Sequence, residues 1–279
     1  MADKKNNPAV SVIIPTYNRG WILKEAIDSV LAQEGVDLEL IVVDDGSTDD
    51  TADILDSYGD QIRVIGRPAN DGVSAARNQG VAASTGALIA FLDSDDWWLK
   101  GKLSIQADFF HTHPDALICQ TDELWVRNGV RVNPKKYHKK PSGMIFELSL
   151  SRCLVSPSAV MMRRSLFDTV GGFDERFRIC EDYDLWLRIS CEHPIYLIDT
   201  PLIVKRGGHP DQISKDVGLD KLRIRSITQM MESKVLSPDQ YAAAVRILKE
   251  KCRIYASGCR KRGRQDEARH YEELAGRYD

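Results

Sequence analysis

The chain has 279 residues, 43% hydrophobic and 28% charged, the balance of an ordinary globular protein large enough to bury a core without disulfides. Its formal net charge of -3 argues against a general polyanion binder. Six cysteines show no C-x-x-C pair and no accompanying histidines at zinc spacing, so they read as reduced thiols. The polar N-terminus has no signal-peptide pattern, and no segment approaches the ~20 apolar residues of a membrane span, so the expected location is cytoplasmic.

Residues 10–14 are apolar and rich in β-branched side chains, and they read as a buried strand. Leu23, Ala26, Ile27, Val30 and Leu31 form one helical stripe. Residues 38–43 give a second buried strand that stops at Asp44-Asp45-Gly46, after which Ser47 or Thr48 is placed to cap a helix and Asp49 and Asp50 suit its dipole. A third short strand is expected at 63–65, a small-residue helix at 74–84, and a fourth strand at 87–92 that ends in Asp93-Ser94-Asp95-Asp96. A helix is expected over 97–110, with Asp96 as its cap.

Strands alternating with helices at this spacing predict an α/β fold with a mostly parallel central sheet flanked by helices. Ligands of such sheets bind beyond the carboxyl ends of the strands. The segments 15–19, 44–47 and 93–96 all lie at such ends, so they should converge on one crevice.

Further along, Asn128-Gly129 predicts a hairpin between strands at 123–126 and 130–132. The lysine-bearing stretch 133–142 reads as an exposed loop that can close over a ligand. Helices are expected at 164–170 and 181–191, and two more strands at 195–198 and 202–204. Composition shifts near residue 216, which divides the chain into a domain at 1–216 and a helical C-terminal extension at 217–279, with helices at 219–233, 238–260 and 265–275. Seven Lys/Arg against one Glu between 249 and 264 suit a solvated helix face, or contact with anionic membrane lipid or a partner.

The three carboxylates of 93–96 repel one another unless solvated or shared by a cation, and a hard divalent ion such as Mg²⁺ or Mn²⁺ takes such ligands together with substrate phosphates. The same residues also make an ordinary acidic turn. Asp45 is placed to accept hydrogen bonds from a base or ribose edge, or to cap a helix. Arg77, on a helix entered through Asn70-Asp71-Gly72, suits an anion or the solvent. In Glu181-Asp182-Tyr183-Asp184 a carboxylate facing the crevice can act as a general base, or the acids can balance the helix dipole. His209 can meet a metal or a diphosphate, or be a loop histidine. No G-x-G-x-x-G follows the first strand, and neither a Walker A sequence nor a G-x-S-x-G elbow is present.

Five segments in register over residues 10–190 resemble glycosyltransferase family 2: Ser11-Val-Ile-Ile-Pro-Thr-Tyr-Asn-Arg19, Val42-Val-Asp-Asp-Gly-Ser-Thr-Asp49, Asn70 to Asn78, Phe91-Leu-Asp-Ser-Asp-Asp96 and Glu181-Asp-Tyr-Asp-Leu-Trp186. The resemblance implies a GT-A fold and a metal-dependent, inverting hexosyl transfer from a nucleotide-sugar, a UDP-sugar first, to a glycan or lipid-linked acceptor in polysaccharide biosynthesis. By position it implies that Pro15, Thr16 and Tyr17 line the nucleotide pocket with Asp45, Arg77, Asp93 and Ser94. Asp93-Ser94-Asp95 matches the DxD motif, with Asp95 a ligand of Mn²⁺ or Mg²⁺, His209 a second, and Asp182 the catalytic base beside Glu181. The rival readings are a nucleotidyltransferase that makes the donor and a binding module with a decayed site.

Overall fold

The computed structural model describes residues 8–133, 138–209 and 218–278. The strands are β1 (Val10–Thr16), β2 (Leu38–Asp44), β3 (Arg63–Gly66), β4 (Leu88–Phe91), β5 (Trp97–Trp98), β6 (Ile118–Arg127), β7 (Val130–Val132), β8 (Val160–Arg163) and β9 (Tyr196–Gly207). They form one sheet in the order β3-β2-β1-β4-β8-β6-β9-β5, with β7 paired to β6.

The first four strands are parallel, β1 lying between β2 and β4 in register from Val10↔Leu38 and Val10↔Leu88. They are joined by helices α1 (Gly20–Leu31), α2 (Thr51–Asp56) and α3 (Val73–Ala83), as the alternating pattern requires. All seven residues of β1 are buried, which is why no polar alternation marks it. Close packing of α3 on this sheet depends on Gly80, where a Cβ would stand 2.5 Å from Ile13.

Beyond β4 the sheet becomes mixed. β8 runs antiparallel to both β4 and β6, and β9 returns parallel to β6 with irregular register at Thr121–Glu123. The two strands expected at 195–198 and 202–204 are therefore one strand, β9, carried through its irregularity by pairing with β6. The predicted hairpin is present, with Asn128 and Gly129 both at positive φ between β6 and β7.

The helix expected over 97–110 starts later, as α4 (Lys102–Thr112). Trp97 and Trp98 instead form β5 against Val204 and Ile203, because the Trp98 indole donates to the Ser158 carbonyl at 2.9 Å and its backbone N–H to Ser29 Oγ at 3.0 Å. Neither Ser47 nor Thr48 caps α2; Asp49 accepts from the Thr51 backbone N–H at 3.1 Å and from Gly20 N at 3.1 Å. Of the 133–142 stretch, residues 134–137 lie outside the described residues. Lys140, expected to be exposed, is buried: Nζ donates to the Thr121 carbonyl at 3.0 Å and pairs with Glu123 at 2.7 Å.

Two buried clusters cover the two faces of the sheet, with Ile14, Val42 and Ala90 in one and Ile13, Ile41 and Phe91 in the other. A third cluster joins α5 (Phe146–Ser151) and α7 (Glu181–Ser190) to the three C-terminal helices, α8 (Leu219–Glu232), α9 (Pro238–Lys261) and α10 (Gln265–Gly276). The remaining helix, α6 (Arg164–Val170), follows β8. Polar ties reinforce the third cluster: Ser226 Oγ donates to Asp184 at 2.8 Å, and Lys251 Nζ to the Ser151 carbonyl at 3.0 Å. α9 begins with a capping box made by Ser237 and Gln240. The boundary near 216 falls outside the described residues. In the basic stretch, Arg260 pairs with Glu272 and Arg264 with Glu267, so part of its charge is balanced by α10.

Candidate active site

The carboxyl ends of β1, β2 and β4 meet as the topology predicts. Asn18, just past β1, accepts from the Thr48 backbone N–H at 2.7 Å through its side chain, and its own N–H donates to Ser47 Oγ at 2.8 Å. Those bonds hold the loops after β1 and β2 together. Asp45 is buried, and its carboxylate accepts from the N–H groups of Asp71 at 3.2 Å and Gly72 at 2.8 Å while pairing with Arg67 at 2.8 Å. Its direct effect is to fix the turn that begins α3. A cavity of about 480 Å³ opens here, lined by Pro15, Thr16, Tyr17, Asp45, Val73 and Ser94 among others. Thr16 is buried, whereas Tyr17 is 41% exposed at the cavity rim.

A second cavity of about 340 Å³ shares Pro15, Arg19, Val73 and Ser94 with the first. It brings Asp93 and Asp95, at the end of β4, into one wall system with Glu181 and Asp182, at the start of α7. Arg77 joins the two acidic pairs. Its guanidinium donates to Asp93 at 2.6 Å and to Glu181 at 2.6 Å. Burial disfavours its charge, but those two carboxylates outweigh burial and hold its pKa above the usual arginine range. The arginine expected to meet an anionic ligand is thus occupied by the protein's own acids.

Glu181 and Asp182 are separated in role by this contact. Glu181 is buried, and burial together with the adjacent Asp182 charge raises its pKa to about 7 despite Arg77. Asp182 is half-buried and lines both this cavity and a third. Its Oδ1 accepts from the Tyr183 N–H at 2.7 Å, and Oδ2 lies 3.4 Å from the Cys153 thiol. Cys180, just before α7, has φ 63°, a left-handed conformation that costs a non-glycine residue about 1 kcal/mol and turns the helix start toward the cavity.

Asp95 and His209 come together at 2.9 Å, from Oδ2 to Nε2, although 114 residues separate them. Asp96 does not cap a helix. It is buried, accepting from Ser158 Oγ at 2.7 Å and from the Arg206 N–H at 3.0 Å. Burial is the main cause that raises its pKa well above the usual carboxylate range; Lys205 opposes the shift, and Asp95 and Asp93 add to it.

Sequence reasoning missed three contributors. Lys205, on β9, donates to Ser156 Oγ at 3.0 Å; burial opposes its charge, but Glu123, Asp96, Asp93 and Asp182 hold it protonated. Arg223, on α8, lines both the second and third cavities, as does Cys153. None of the three stands in a local motif; strand and helix packing alone brings them to the acids. Among the described residues no cluster of three or more His, Cys, Asp or Glu is arranged to hold a metal by itself, and no helix is long and apolar enough to cross a membrane.

Residues 11–171 match the profile of Glycosyl transferase family 2. An uncharacterized glycosyltransferase of Rickettsia conorii is 34% identical over 233 residues, which cover 78% of this chain and 38% of the relative. Bacillus subtilis TuaG, named for a glycosyltransferase role in teichuronic acid biosynthesis, is 32% identical over 185 residues, 65% of this chain and 72% of TuaG. The chain spans between 31% and 38% of the length of three Rickettsia relatives that it matches. In fold it is similar to residues 1–349 of S. aureus TarS, solved in complex with UDP-GlcNAc, at a TM-score of 0.71 and 23% identity over 89% of this chain and 72% of that one. A curled central sheet of this topology, with that profile over more than half its length, makes the chain a member of glycosyl transferase family 2.

Proposed function

We propose that the protein is an inverting, metal-dependent glycosyltransferase that moves a sugar from a UDP-sugar to an acceptor hydroxyl in polysaccharide synthesis. The observation that carries this reading is that Asp93, Asp95 and Asp182 line one cavity, with Asp182 also lining the third cavity beside it. A donor on the Asp95 side and an acceptor on the other would meet at Asp182. The names of TuaG and of the UDP-GlcNAc complex of TarS support the same chemistry.

In this mechanism the nucleotide occupies the cavity of Pro15, Thr16 and Tyr17, where Asp45 meets the base through lone pairs left by its protein contacts. Asp93 and Ser94 adjoin the ribose and diphosphate, and Arg77 acts indirectly by holding Asp93 in place. Asp95 and His209 fit a divalent cation as a pair of protein ligands, because Mg²⁺ and Mn²⁺ sites commonly complete their shell with substrate phosphates and water. Bound there, the ion would neutralise charge developing on the leaving diphosphate. Asp182 takes the proton from the acceptor hydroxyl as that oxygen attacks the anomeric carbon from the face opposite the diphosphate, giving inversion. Holding both substrates in line supplies much of the remaining acceleration.

Residues 1–216 would form the catalytic unit and 217–279 a helical extension packed against α5 and α7. The reaction would take place at the cytoplasmic side, with a lipid-linked or glycan acceptor, and the basic stretch of α9 would give peripheral membrane contact.

The test is a panel of UDP-, GDP- and dTDP-sugars with Mn²⁺ or Mg²⁺, scored by thermal shift and by donor hydrolysis. Stabilisation and hydrolysis of UDP-sugars alone are expected. Asp182→Asn should keep UDP binding and lose at least 100-fold in transfer, the scale of a lost general base; full transfer in that variant would exclude Asp182 as the base.

A further inference from the structure

The third cavity, about 630 Å³, lies between the start of α7, the segment 151–156, β6 and α8. Four cations, Lys140, Arg152, Lys205 and Arg223, face it against two carboxylates, Glu123 and Asp182. Lys140 is matched by Glu123 at 2.7 Å, and Lys205 stands among Glu123, Asp96, Asp93 and Asp182. The cavity lining thus holds two more cations than carboxylates, and Arg223 is the one of them on α8, on the same wall system as Asp182. A neutral sugar needs no such excess.

Arg223 is held differently from the structural arginines of this protein. Arg163 spends its guanidinium on the carbonyls of Ala116, Phe110 and Pro114, and Arg188 spends its own on Asp184, Val170 and Gly172. Among the described residues, Arg223 has a long 3.5 Å ion pair with Asp220 and a ring contact with Tyr183 at 5.8 Å, and its buried Nε has no hydrogen-bond partner. A fork left open toward a cavity is suited to a bidentate oxyanion.

We infer that this cavity receives an acceptor carrying an anionic group, a phosphate or a carboxylate, and that Arg223 binds that group beside the reacting hydroxyl. The inference rests on the reading of Asp182 as the base between donor and acceptor. It gives the C-terminal helices a part in recognition, since α8 supplies Arg223. Trp125, whose indole Nε1 is tied to Glu123 at 2.8 Å, provides the cavity with a fixed apolar face against which the acceptor's ring can rest.

The experiment uses the full chain saturated with UDP and Mn²⁺, titrated calorimetrically with glucose, glucuronic acid and glucose 6-phosphate. The acidic sugars are expected to bind at least tenfold more tightly than glucose, and the tighter of the two identifies carboxylate or phosphate as the natural group. R223Q should erase that preference while changing UDP affinity by less than twofold, which also certifies its fold, and R223K should keep part of it. Equal binding of all three sugars, no binding of any, or a preference that persists in R223Q would overturn the inference. A large fall in UDP affinity in a folded R223Q would do so as well, by placing Arg223 on the donor diphosphate. Failure of UDP to bind the native chain would instead overturn the donor assignment.

Discussion

Glu181 and Arg77, 104 positions apart, meet at 2.6 Å inside the protein, and the other amine of Arg77 reaches Asp93 at 2.6 Å. One buried cation thus connects the start of α7 to the end of β4, and fixes the spacing between the two acidic walls of the site.

That bridge should be costly to break from the cationic side. Arg77→Met leaves Glu181 buried without its counter-charge, so a loss of about 3–5 kcal/mol in urea unfolding is expected. Glu181→Gln should cost less, and the double variant should recover part of the loss because the two residues are in direct contact. The pH dependence has a defined sign. Glu181 has a folded pKa of about 7, above its ordinary 4.5, so the native state binds a proton that the unfolded chain releases. Its contribution is present below pH 4.5 and fades as pH rises through 7. Native protein should therefore lose stability relative to Glu181→Gln between pH 5 and pH 8; parallel curves would refute this.

The Asp95–His209 pair can be separated from folding. Asp95 is partly exposed, and among the described residues its hydrogen-bond partner is His209, so Asp95→Ala should change unfolding free energy by no more than about 0.5 kcal/mol. It should abolish the increase in UDP affinity caused by Mn²⁺, and His209→Ala should reduce that increase about 10–100-fold. Equilibrium binding of UDP with and without Mn²⁺ reads both; undiminished Mn²⁺ dependence in Asp95→Ala would remove Asp95 from the metal site.

The parallel half of the sheet was legible because β1, β2 and β4 are dominated by apolar residues and end abruptly in polar ones, and the convergence of those ends follows from topology. Helix starts at Val73 and Glu181 were legible for similar reasons. Asp96 was not: an acid before a suspected helix looks like a cap, and only the pairing of Trp97 and Trp98 with β9 turns it inward. Lys140 misled in the same way, since a run of lysines looks solvated until its partners on β6, the Thr121 carbonyl and Glu123, are brought across to it. Lys205 and Arg223 carry no local signal, because their surroundings come from elements distant in sequence. Local chemistry found the acids at the strand ends; tertiary packing brings the remaining side chains to them.

Lys102 offers a pH test remote from the site. It is fully buried, with its ammonium 2.6 Å from Gln106 Oε1 and 4.0 Å above the Trp98 ring, and burial lowers its pKa to about 7. The unfolded chain, with an ordinary lysine near 10.5, binds more protons between pH 7 and 10.5, so stability rises with pH across that window and is lost as pH falls through 7. Relative to Lys102→Met, native protein should gain about 2 kcal/mol between pH 7 and pH 9. Urea unfolding at the two pH values measures it, and equal changes in both proteins would show that Lys102 stays charged in the fold.

Asp96 holds the end of β9 from the opposite side of the site. Its carboxylate accepts from Ser158 at 2.7 Å and from the Arg206 N–H at 3.0 Å, and the next residues along the chain lead to His209. Asp96→Ala would strand both buried donors, at about 1–3 kcal/mol each. Asp96→Asn keeps an acceptor for one of them and should lose roughly half as much. Because Arg206 follows Lys205 and precedes His209, loosening this anchor should also weaken Mn²⁺-dependent UDP binding, although the hydrogen bonds of Asp96 go to Ser158 and Arg206. Thermal unfolding and UDP titration of the two variants should therefore fall together and in the same order. A variant that lost stability while binding UDP with native Mn²⁺ dependence would show that the end of β9 is positioned by its pairing with β6 alone.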